Sequence, residues 1–318
     1  MHKLLILSNS SKEYTRLITE ADLPELGEIT TLPAQDCEMV FGEPNLIRDA
    51  LPHLPHLKWA QSTWAGVESL LDPALRRDYV LTNARGVFGR LMSEFVFGYL
   101  LVHERRIFQK LEAQKNKIWD DADTGRLQGK TIGLLGVGSI GAELASTAKV
   151  FGMNVSGYTR SSETSKHVDR YFHPAELHNR LSGQQQIAEL QRFASGLDYL
   201  VSVLPNTSDT RKIINADLLS VLPSHALFIN VGRGQAVDES ALVEALTRGK
   251  IAGAVLDVFE QEPLPKEHPF WTTPNLLMTF HTPAPSYPQE ISQVFVENYL
   301  LYLERKPLKY QVDFEKEY

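Results

Sequence analysis

The chain has 318 residues, of which 43% are hydrophobic and 22% charged, so it is long enough for about two domains with apolar cores. Its formal net charge of −7 argues against nucleic-acid binding and against an anionic membrane surface, because both need net or clustered positive charge. Cys37 is the single cysteine and cannot form an internal disulfide, which predicts a reducing, cytoplasmic location. The N-terminal apolar run of four residues is too short for a signal peptide, and no run approaches the roughly 18 residues of a membrane span.

Apolar runs alternate with amphipathic stretches in the first part of the chain. The runs "KLLIL", "CEMVF", "LKWAQST" and "YVLTN" have the length and composition of buried strands. Amphipathic stretches follow the first three runs, and after the fourth we predict one long helix from 91 to 114. This alternation is typical of an α/β fold in which helices cover a parallel sheet.

The same alternation restarts at Lys130. The polar, glycine-bearing segment 117–130 precedes the restart, as a loop entering a new domain would. A second parallel sheet is predicted from the runs "KTIGLLG", "MNVSGY", "LDYLVSVL", "ALFINVG", "IAGAVLDVF" and "NLLMTF". A last amphipathic helix is predicted at 288–303. We therefore expect two doubly wound parallel-sheet domains.

The run "GLLGVGSIG" places Gly136, Gly138 and Gly141 in the G-x-G-x-x-G spacing, between an apolar strand and a helix. In a dinucleotide-binding βαβ unit the first glycine permits the tight turn, the second lets the backbone approach the pyrophosphate, and the third lets the helix pack closely. The N–H groups of Ser139 and Ile140 begin the helix and are expected to face the pyrophosphate. The alternative is a glycine-rich turn that binds no ligand.

Charged side chains follow three later strands. Arg233 stands among glycines after "FIN", and its planar fork suits a carboxylate or a developing oxyanion. Asp257 and Glu262 follow the next strand, and His281 follows the last one. Because ligands of open α/β sheets bind at the carboxyl ends of strands, we predict these residues at the active site. His281 can exchange a proton near neutral pH, and a carboxylate partner would orient its ring. A surface arginine in a turn and a solvated Glu262 are the alternatives.

The blocks "GLLGVGSIG", "LPNTSDTRKIIN", "NVGRGQAVDESAL" and "LDVFEQEPLP", with the later His281, resemble the D-isomer-specific 2-hydroxyacid dehydrogenase family. The branch they resemble most is that of the glyoxylate/hydroxypyruvate reductases. The resemblance implies a Rossmann dinucleotide-binding domain inserted in a flavodoxin-like substrate domain. We place the substrate domain at 1–101 and 284–318 and the nucleotide-binding domain at 102–283. The resemblance also implies a homodimer through the nucleotide-binding domain.

The family's functional residues map onto this chain as follows. Arg233, Glu262 and His281 correspond to the catalytic set, and the backbone N–H groups of Ala65 and Gly66 to the loop that binds the substrate carboxylate. Asp257 corresponds to the residue that holds the nicotinamide carboxamide. Further cofactor contacts are expected from Leu204, Pro205, Thr210, Val231 and Gly232. The chain departs from the family at Phe280, where proline is usual, and at Trp64, where a small residue is usual. The bulk of Trp64 bears on the size of the substrate that the site accepts. Tyr287 is a candidate for lining the substrate pocket, with packing as the alternative.

The stretch "VSGYTRSS" lies about 20 residues beyond the glycine run, where an NAD site usually has an acid for the ribose hydroxyls. Here Thr159 replaces the acid, Arg160 can form a forked pair with a phosphate, and Ser161 with Ser162 can donate further hydrogen bonds. We predict NADP(H) as the preferred cofactor, with NAD(H) possible. A solvated loop that discriminates poorly is the alternative, because Glu163 follows closely.

Together these features predict an NAD(P)-dependent oxidoreductase that acts on a small 2-keto or D-2-hydroxy acid. No metal site is predicted, since His53 and His56 stand in a proline-broken loop without a third ligand nearby. Two other functions remain open: a corepressor-like dinucleotide sensor on the same scaffold, and a formate-type dehydrogenase. The Arg–Glu–His set argues against both, because neither needs a proton donor at the nicotinamide.

Overall fold

A computed structural model of the chain describes residues 1–174 and 183–317. The chain divides into two compact units, Met1–Phe88 with Pro285–Tyr318, and Gly89–Ala284. Each unit is built on its own parallel sheet flanked by helices, which confirms the predicted α/β class with two parallel sheets. Within the described residues, no helix combines the length and hydropathy needed to cross a bilayer.

The first unit contains a five-stranded sheet in the order β2-β1-β3-β4-β5, the flavodoxin-like order. Its strands are β1 (His2–Leu7), β2 (Leu26–Thr30), β3 (Met39–Gly42), β4 (Trp59–Ser62) and β5 (Val80–Thr82). Its helices are α1 (Ser11–Glu20), α2 (Pro44–Ala50) and, after the second unit, the C-terminal helix Pro288–Leu303. Short 3-10 turns lie at Leu51–His53 and Glu68–Leu70.

The C-terminal helix returns to this sheet through aromatic packing. Its residue Phe295 is fully buried and stacks on Trp59 of β4, with ring centroids 5.1 Å apart, and on Phe41 of β3 at 4.9 Å. Truncating a fully buried phenylalanine typically costs about 3–5 kcal/mol. This contact therefore explains why residues distant in sequence complete one unit.

The second unit contains a seven-stranded parallel sheet in the order β12-β11-β10-β9-β6-β7-β8, which holds the Rossmann order around β6. Its strands are β6 (Thr131–Leu135), β7 (Asn154–Tyr158), β8 (Arg170–Phe172), β9 (Tyr199–Ser202), β10 (Leu227–Asn230), β11 (Gly253–Leu256) and β12 (Leu276–Met278). Its helices are α3 (Gly89–Glu104), α4 (Ile107–Lys115), α5 (Ser139–Val150), α6 (Gly183–Ala194), α7 (Ala216–Val221) and α8 (Glu239–Thr247), so the C-terminal helix is α9. Two 3-10 turns lie at Gly234–Ala236 and Pro269–Thr272.

Two predictions about the segment before β6 need correction. The single helix expected at 91–114 is two helices, because Arg106 adopts the left-handed conformation (φ 53°) and ends α3 before α4 begins. The boundary expected after residue 101 falls inside α3, and the units instead part at Phe88 and Gly89. The reason is packing: Phe97 of α3 stacks on Phe151 at 5.2 Å, so all of α3 belongs with the second sheet.

Candidate active site

The candidate site is built from loops that leave one edge of the second sheet. All strands of this sheet are parallel, so the loops after β6, β7, β9, β10, β11 and β12 emerge at the same carboxyl edge. The order reverses at β6, where neighbouring crossovers run to opposite sides and a crevice opens. The residues predicted for cofactor binding and proton transfer in this unit follow these strands.

The glycine turn after β6 has the geometry that a dinucleotide site requires. Gly136 has φ 93°, a conformation that L side chains rarely adopt. A Cβ on Gly141 would lie 2.3 Å from the Gly136 carbonyl oxygen, so only glycine lets α5 approach the turn this closely. A Cβ on Gly138 would meet no atom within 4 Å, so this backbone faces open space. Ser139 and Ile140 begin α5, and their N–H groups lie in its first turn.

In the loop after β7, one of the predicted cofactor-binding side chains points into the protein and the others are exposed to solvent. Thr159 is buried, and its hydroxyl donates to the Ser162 carbonyl at 2.7 Å and contacts His173 Nδ1 at 3.1 Å, so it shapes the loop from inside. Arg160 and Ser161 are exposed. The Arg160 guanidinium forms an ion pair with Asp209, a residue that the sequence does not indicate as part of the site.

Glu163, the acid of this loop, is paired with a histidine. His173 Nε2 lies 2.7 Å from the Glu163 carboxylate, and its Nδ1 lies 3.0 Å from the Thr159 carbonyl oxygen. Partial burial lowers the pKa of His173, but the hydrogen bonds to Glu163 and Thr159 outweigh it, so the pKa is raised above its usual value. The Glu163 carboxylate is therefore tied to His173, directly after β8, and favours the protonated form of that histidine.

The loops after β9 and β10 are packed against each other. A Cβ on Gly232 would lie 2.7 Å from the Leu204 backbone nitrogen and oxygen, so glycine is required there. Thr210 Oγ1 donates to the Pro205 carbonyl at 2.6 Å and closes a turn. Val231 is buried and donates its N–H to Ser202 of β9. These loops are thus closely packed and hydrogen-bonded at the carboxyl edge of the sheet.

Asp257, at the end of β11, is completely buried. Its Oδ1 accepts hydrogen bonds from the Thr279 hydroxyl at 2.6 Å and the Thr282 N–H at 3.1 Å. Its Oδ2 has no hydrogen-bond partner in the described part of the chain. A buried carboxylate oxygen without a partner is costly, so this atom fits an amide donor supplied by a ligand.

Glu262 and His281 form the pair that the sequence predicted. His281 Nδ1 lies 2.8 Å from Glu262 Oε2, and Glu262 Oε1 accepts from the Phe259 N–H at 2.9 Å. The carboxylate is thereby fixed, and it selects the tautomer with the proton on Nδ1, which leaves Nε2 for a substrate. His281 is half exposed, so Nε2 can be reached.

Arg233 lies at the start of the 3-10 turn after β10 and is partly buried. Its Nη1 donates to the Gly232 carbonyl at 2.8 Å, and its own carbonyl accepts from the Asn230 amide at 3.0 Å. These hydrogen bonds fix the backbone and the guanidinium of Arg233 at the end of β10. Arg233 therefore lies at the same edge of the sheet as Glu262 and His281.

In the first unit, the loop after β4 carries Trp64, Ala65 and Gly66. The Ala65 carbonyl accepts from the Asn83 amide at 2.9 Å, and the Trp64 carbonyl accepts from Ser62 Oγ at the same distance. The N–H groups of Ala65 and Gly66 meet no acceptor among the residues that the structure describes. Trp64 is 43% exposed. Tyr287, also half exposed, precedes α9.

Comparison with known proteins places these features in a family. Residues 97–283 match the model described as D-isomer specific 2-hydroxyacid dehydrogenase, NAD binding domain. Glyoxylate/hydroxypyruvate reductase A of Klebsiella pneumoniae is 34% identical over 271 residues, which cover 82% of each chain.

Solved structures agree over the whole chain. A D-isomer specific 2-hydroxyacid dehydrogenase family protein from Aeromonas salmonicida is 39% identical, with a TM-score of 0.87 over 98% of this chain and 99% of that one. An NADPH-dependent glyoxylate/hydroxypyruvate reductase from Sinorhizobium meliloti, solved with NADP and sulfate, is 26% identical, with a TM-score of 0.86 over 100% of both chains. The chain therefore belongs to the D-isomer specific 2-hydroxyacid dehydrogenase family, and residues 97–283 are its NAD-binding domain.

Proposed function

We propose that this protein reduces small 2-keto acids of the glyoxylate or hydroxypyruvate type to D-2-hydroxy acids, with NADPH as the preferred reductant. The observation that carries the proposal is the Glu262–His281 pair, 2.8 Å apart at the carboxyl edge of the dinucleotide-binding sheet. It supplies an oriented proton donor at the edge where this fold binds its cofactor.

The residues present fit a nicotinamide dinucleotide. The open face of Gly138 and the first turn of α5 would hold the pyrophosphate, and Asp257 Oδ2 would accept from the carboxamide. When bound, the reduced nicotinamide supplies a hydride to C2 of the keto acid.

His281 supplies the proton. In reduction, protonated His281 donates from Nε2 to the carbonyl oxygen as negative charge develops there, while the contact with Glu262 keeps the ring oriented. In the reverse direction, neutral His281 accepts the proton of the hydroxyl. Arg233 stabilises the developing oxyanion with a fork of fixed donors.

We propose that the substrate carboxylate is bound by Arg233 and by the N–H groups of Ala65 and Gly66. The carbonyls of Trp64 and Ala65 and the N–H of Trp64 are hydrogen-bonded within this unit, which leaves the N–H groups of Ala65 and Gly66 as the donors proposed for the substrate. The bulk of Trp64 favours substrates with a short side chain, and Tyr287 is a further candidate contact.

The cofactor preference rests on the loop after β7. Arg160 and Ser161 are exposed, and Glu163 contacts His173 rather than Arg160, so the Arg160 guanidinium, on leaving Asp209, and the Ser161 hydroxyl can bind a 2′-phosphate. Charge-assisted hydrogen bonds of this kind are worth about 1.5–3 kcal/mol each, enough for about a tenfold preference. Structural relatives from Sinorhizobium meliloti are named as NADPH-dependent reductases and were solved with NADP.

We further propose a homodimer formed through the nucleotide-binding unit. Helix α4 and the segment after it expose apolar side chains on this unit: Ile107, Phe108, Leu111, Ile118 and Trp119. A concentration of exposed large apolar side chains in one short segment favours a protein–protein interface there.

The test of the reaction is the variant His281→Ala. We expect kcat for keto-acid reduction to fall by roughly 10²–10⁴-fold, the range for a general acid, with NADPH affinity little changed. His225→Ala is the matched control, because His225 also contacts a carboxylate, that of Asp198 at 3.1 Å, but precedes β10 at the opposite edge of the sheet.

Activity of His281→Ala within a few-fold of the parent enzyme would remove this histidine from the mechanism. NADPH binding without oxidation by any 2-keto acid would instead support a dinucleotide sensor. Turnover of formate that is indifferent to His281 would support a formate-type enzyme.

A further inference from the structure

The ion pair between Arg160 and Asp209 joins two loops that the cofactor crevice separates. Arg160 follows β7 and Asp209 follows β9, and these two strands flank β6 on either side. The pair therefore joins loops on either side of β6, and the loop after β7 is where this fold binds the ribose 2′ position of a dinucleotide. Both side chains are solvent-accessible, at 47% and 66%.

Asp209 lies on a braced turn. The Thr210 hydroxyl donates to the Pro205 carbonyl at 2.6 Å and accepts from the Thr207 N–H at 2.9 Å. The backbone of Asp209 is thus held by this turn and its side chain is short. Arg160 has a long side chain with many rotamers and can move more easily. Any rearrangement on cofactor binding is therefore a movement of Arg160 away from Asp209.

The neighbouring acid has a different partner. The Glu163 carboxylate contacts His173 Nε2 at 2.7 Å and not Arg160. Asp209 is the acid that the structure pairs with Arg160. A 2′-phosphate that approaches Arg160 would consequently come close to the Asp209 carboxylate. Both groups are negatively charged, so they would repel each other.

We propose that Asp209 is a specificity-determining residue that competes with the 2′-phosphate of NADPH for Arg160 and so limits the preference of the enzyme for NADPH over NADH. This proposal rests on the cofactor preference proposed above. In the free enzyme Asp209 holds Arg160, and binding of NADPH replaces this pair with an Arg160–phosphate pair. NADH has a 2′-hydroxyl in place of the phosphate, so its binding does not require Arg160 to leave Asp209.

The experiment is a fluorescence titration of the intact enzyme with NADPH and with NADH. Exposed ion pairs contribute up to about 1 kcal/mol, so Asp209→Asn should lower the Kd for NADPH by about threefold to fivefold. The Kd for NADH should change by less than about twofold. Asp209→Glu, which keeps the charge, should behave like the parent. Glu244→Gln is the control for net charge, because Glu244 on α8 pairs with Arg248, directly after this helix, and not with a cofactor loop.

A double variant shows whether the effect passes through Arg160. In the Arg160→Ala background, Asp209→Asn should no longer tighten NADPH binding by more than about twofold. An unchanged or weaker NADPH affinity in Asp209→Asn would overturn the proposal, and so would a gain that persists in full without Arg160. The parent's own ratio of NADPH to NADH affinity tests the cofactor preference separately. A parent that binds both equally would overturn that preference, while selective tightening of NADPH in Asp209→Asn would still support competition.

Discussion

His281 adopts a backbone conformation that is rare for a residue with a side chain. Its φ is 55°, in the left-handed region, which costs a non-glycine residue roughly 1–2 kcal/mol. Its N–H donates to the Asp257 carbonyl at 2.8 Å, and its ring is fixed by Glu262. Strained conformations of this kind cluster at functional sites, where the surrounding structure enforces them. The strained backbone is consistent with a functional role for His281, in which the orientation of the imidazole ring is maintained at a cost in stability.

The pair His173–Glu163 predicts a pH dependence of stability. The pKa of His173 is raised in the folded protein, so the pair stabilises the fold below the unfolded histidine value of 6.5. This stabilisation is lost as the pH rises through the folded pKa. In urea denaturation, His173→Gln should therefore lower the free energy of unfolding more at about pH 5.5 than at about pH 8.5. Because the pair is near the surface, we expect a difference below about 1 kcal/mol.

Glu163→Gln removes the same ion pair and serves as the matched variant for this measurement. It should reduce the pH dependence to the same degree as His173→Gln. A pH-independent difference between parent and His173→Gln would contradict the assignment of the charge interaction to this pair.

The sequence predicts the charged pair at Glu262 and His281 because both follow recognisable strands. It does not indicate Asp209, since Arg160 lies 49 residues away and no local pattern links the two. It also does not show that the Thr159 hydroxyl turns inward, because that depends on His173 at the end of β8. Contacts between loops of different strands require the sheet order, which a single sequence does not specify.

The turn between β6 and α5 makes a prediction about two glycines of the same motif. Replacing Gly141 by alanine would stabilise helix α5 by up to about 1 kcal/mol, because alanine has the higher helix propensity. However, its Cβ would lie 2.3 Å from the Gly136 carbonyl oxygen, and overpacking against backbone costs about 1–3 kcal/mol. We therefore expect Gly141→Ala to lower the free energy of unfolding in chemical denaturation.

Gly138→Ala is the matched variant, because its Cβ meets no atom within 4 Å. Its stability should stay within about 1 kcal/mol of the parent, while NADPH binding weakens because the Cβ occupies the face that the pyrophosphate approaches. Unchanged NADPH affinity in Gly138→Ala, or unchanged stability in Gly141→Ala, would contradict this reading of the turn.

Most elements could be predicted from apolar runs, including α9 with its bounds at 288–303. The strands that the sequence did not indicate are β2 (Leu26–Thr30) and β8 (Arg170–Phe172), which form edges of their sheets. Edge strands pair on one side and need fewer apolar residues, so their sequences lack a buried run. The break between α3 and α4 was also missed, because the helical pattern continues across the left-handed Arg106.

The exposed apolar side chains of the second unit make a prediction about assembly. Trp119 is 91% exposed and Phe108 is 50% exposed, which favours burial against a second copy. We expect light scattering to give twice the chain mass of 35.8 kDa for the parent. The double variant Phe108→Glu with Trp119→Glu should shift the mass towards a monomer, because unpaired charges in an apolar interface are costly.

Leu32→Glu is the control, since Leu32 is 74% exposed but belongs to the first unit. It should leave the mass unchanged. A parent that is monomeric at all concentrations would rule out the proposed dimer, and a shift caused equally by Leu32→Glu would place the interface elsewhere.

The central claim for the whole protein is that it is an NADPH-preferring reductase of 2-keto acids. The most direct test is kcat/KM for NADPH and for NADH with glyoxylate as the single keto acid, in the parent and in Arg160→Ala. We expect the parent to favour NADPH by about tenfold or more, and Arg160→Ala to lose most of this preference through a loss of activity with NADPH. Equal or NADH-favouring values in the parent, or a preference that Arg160→Ala leaves unchanged, would contradict the account.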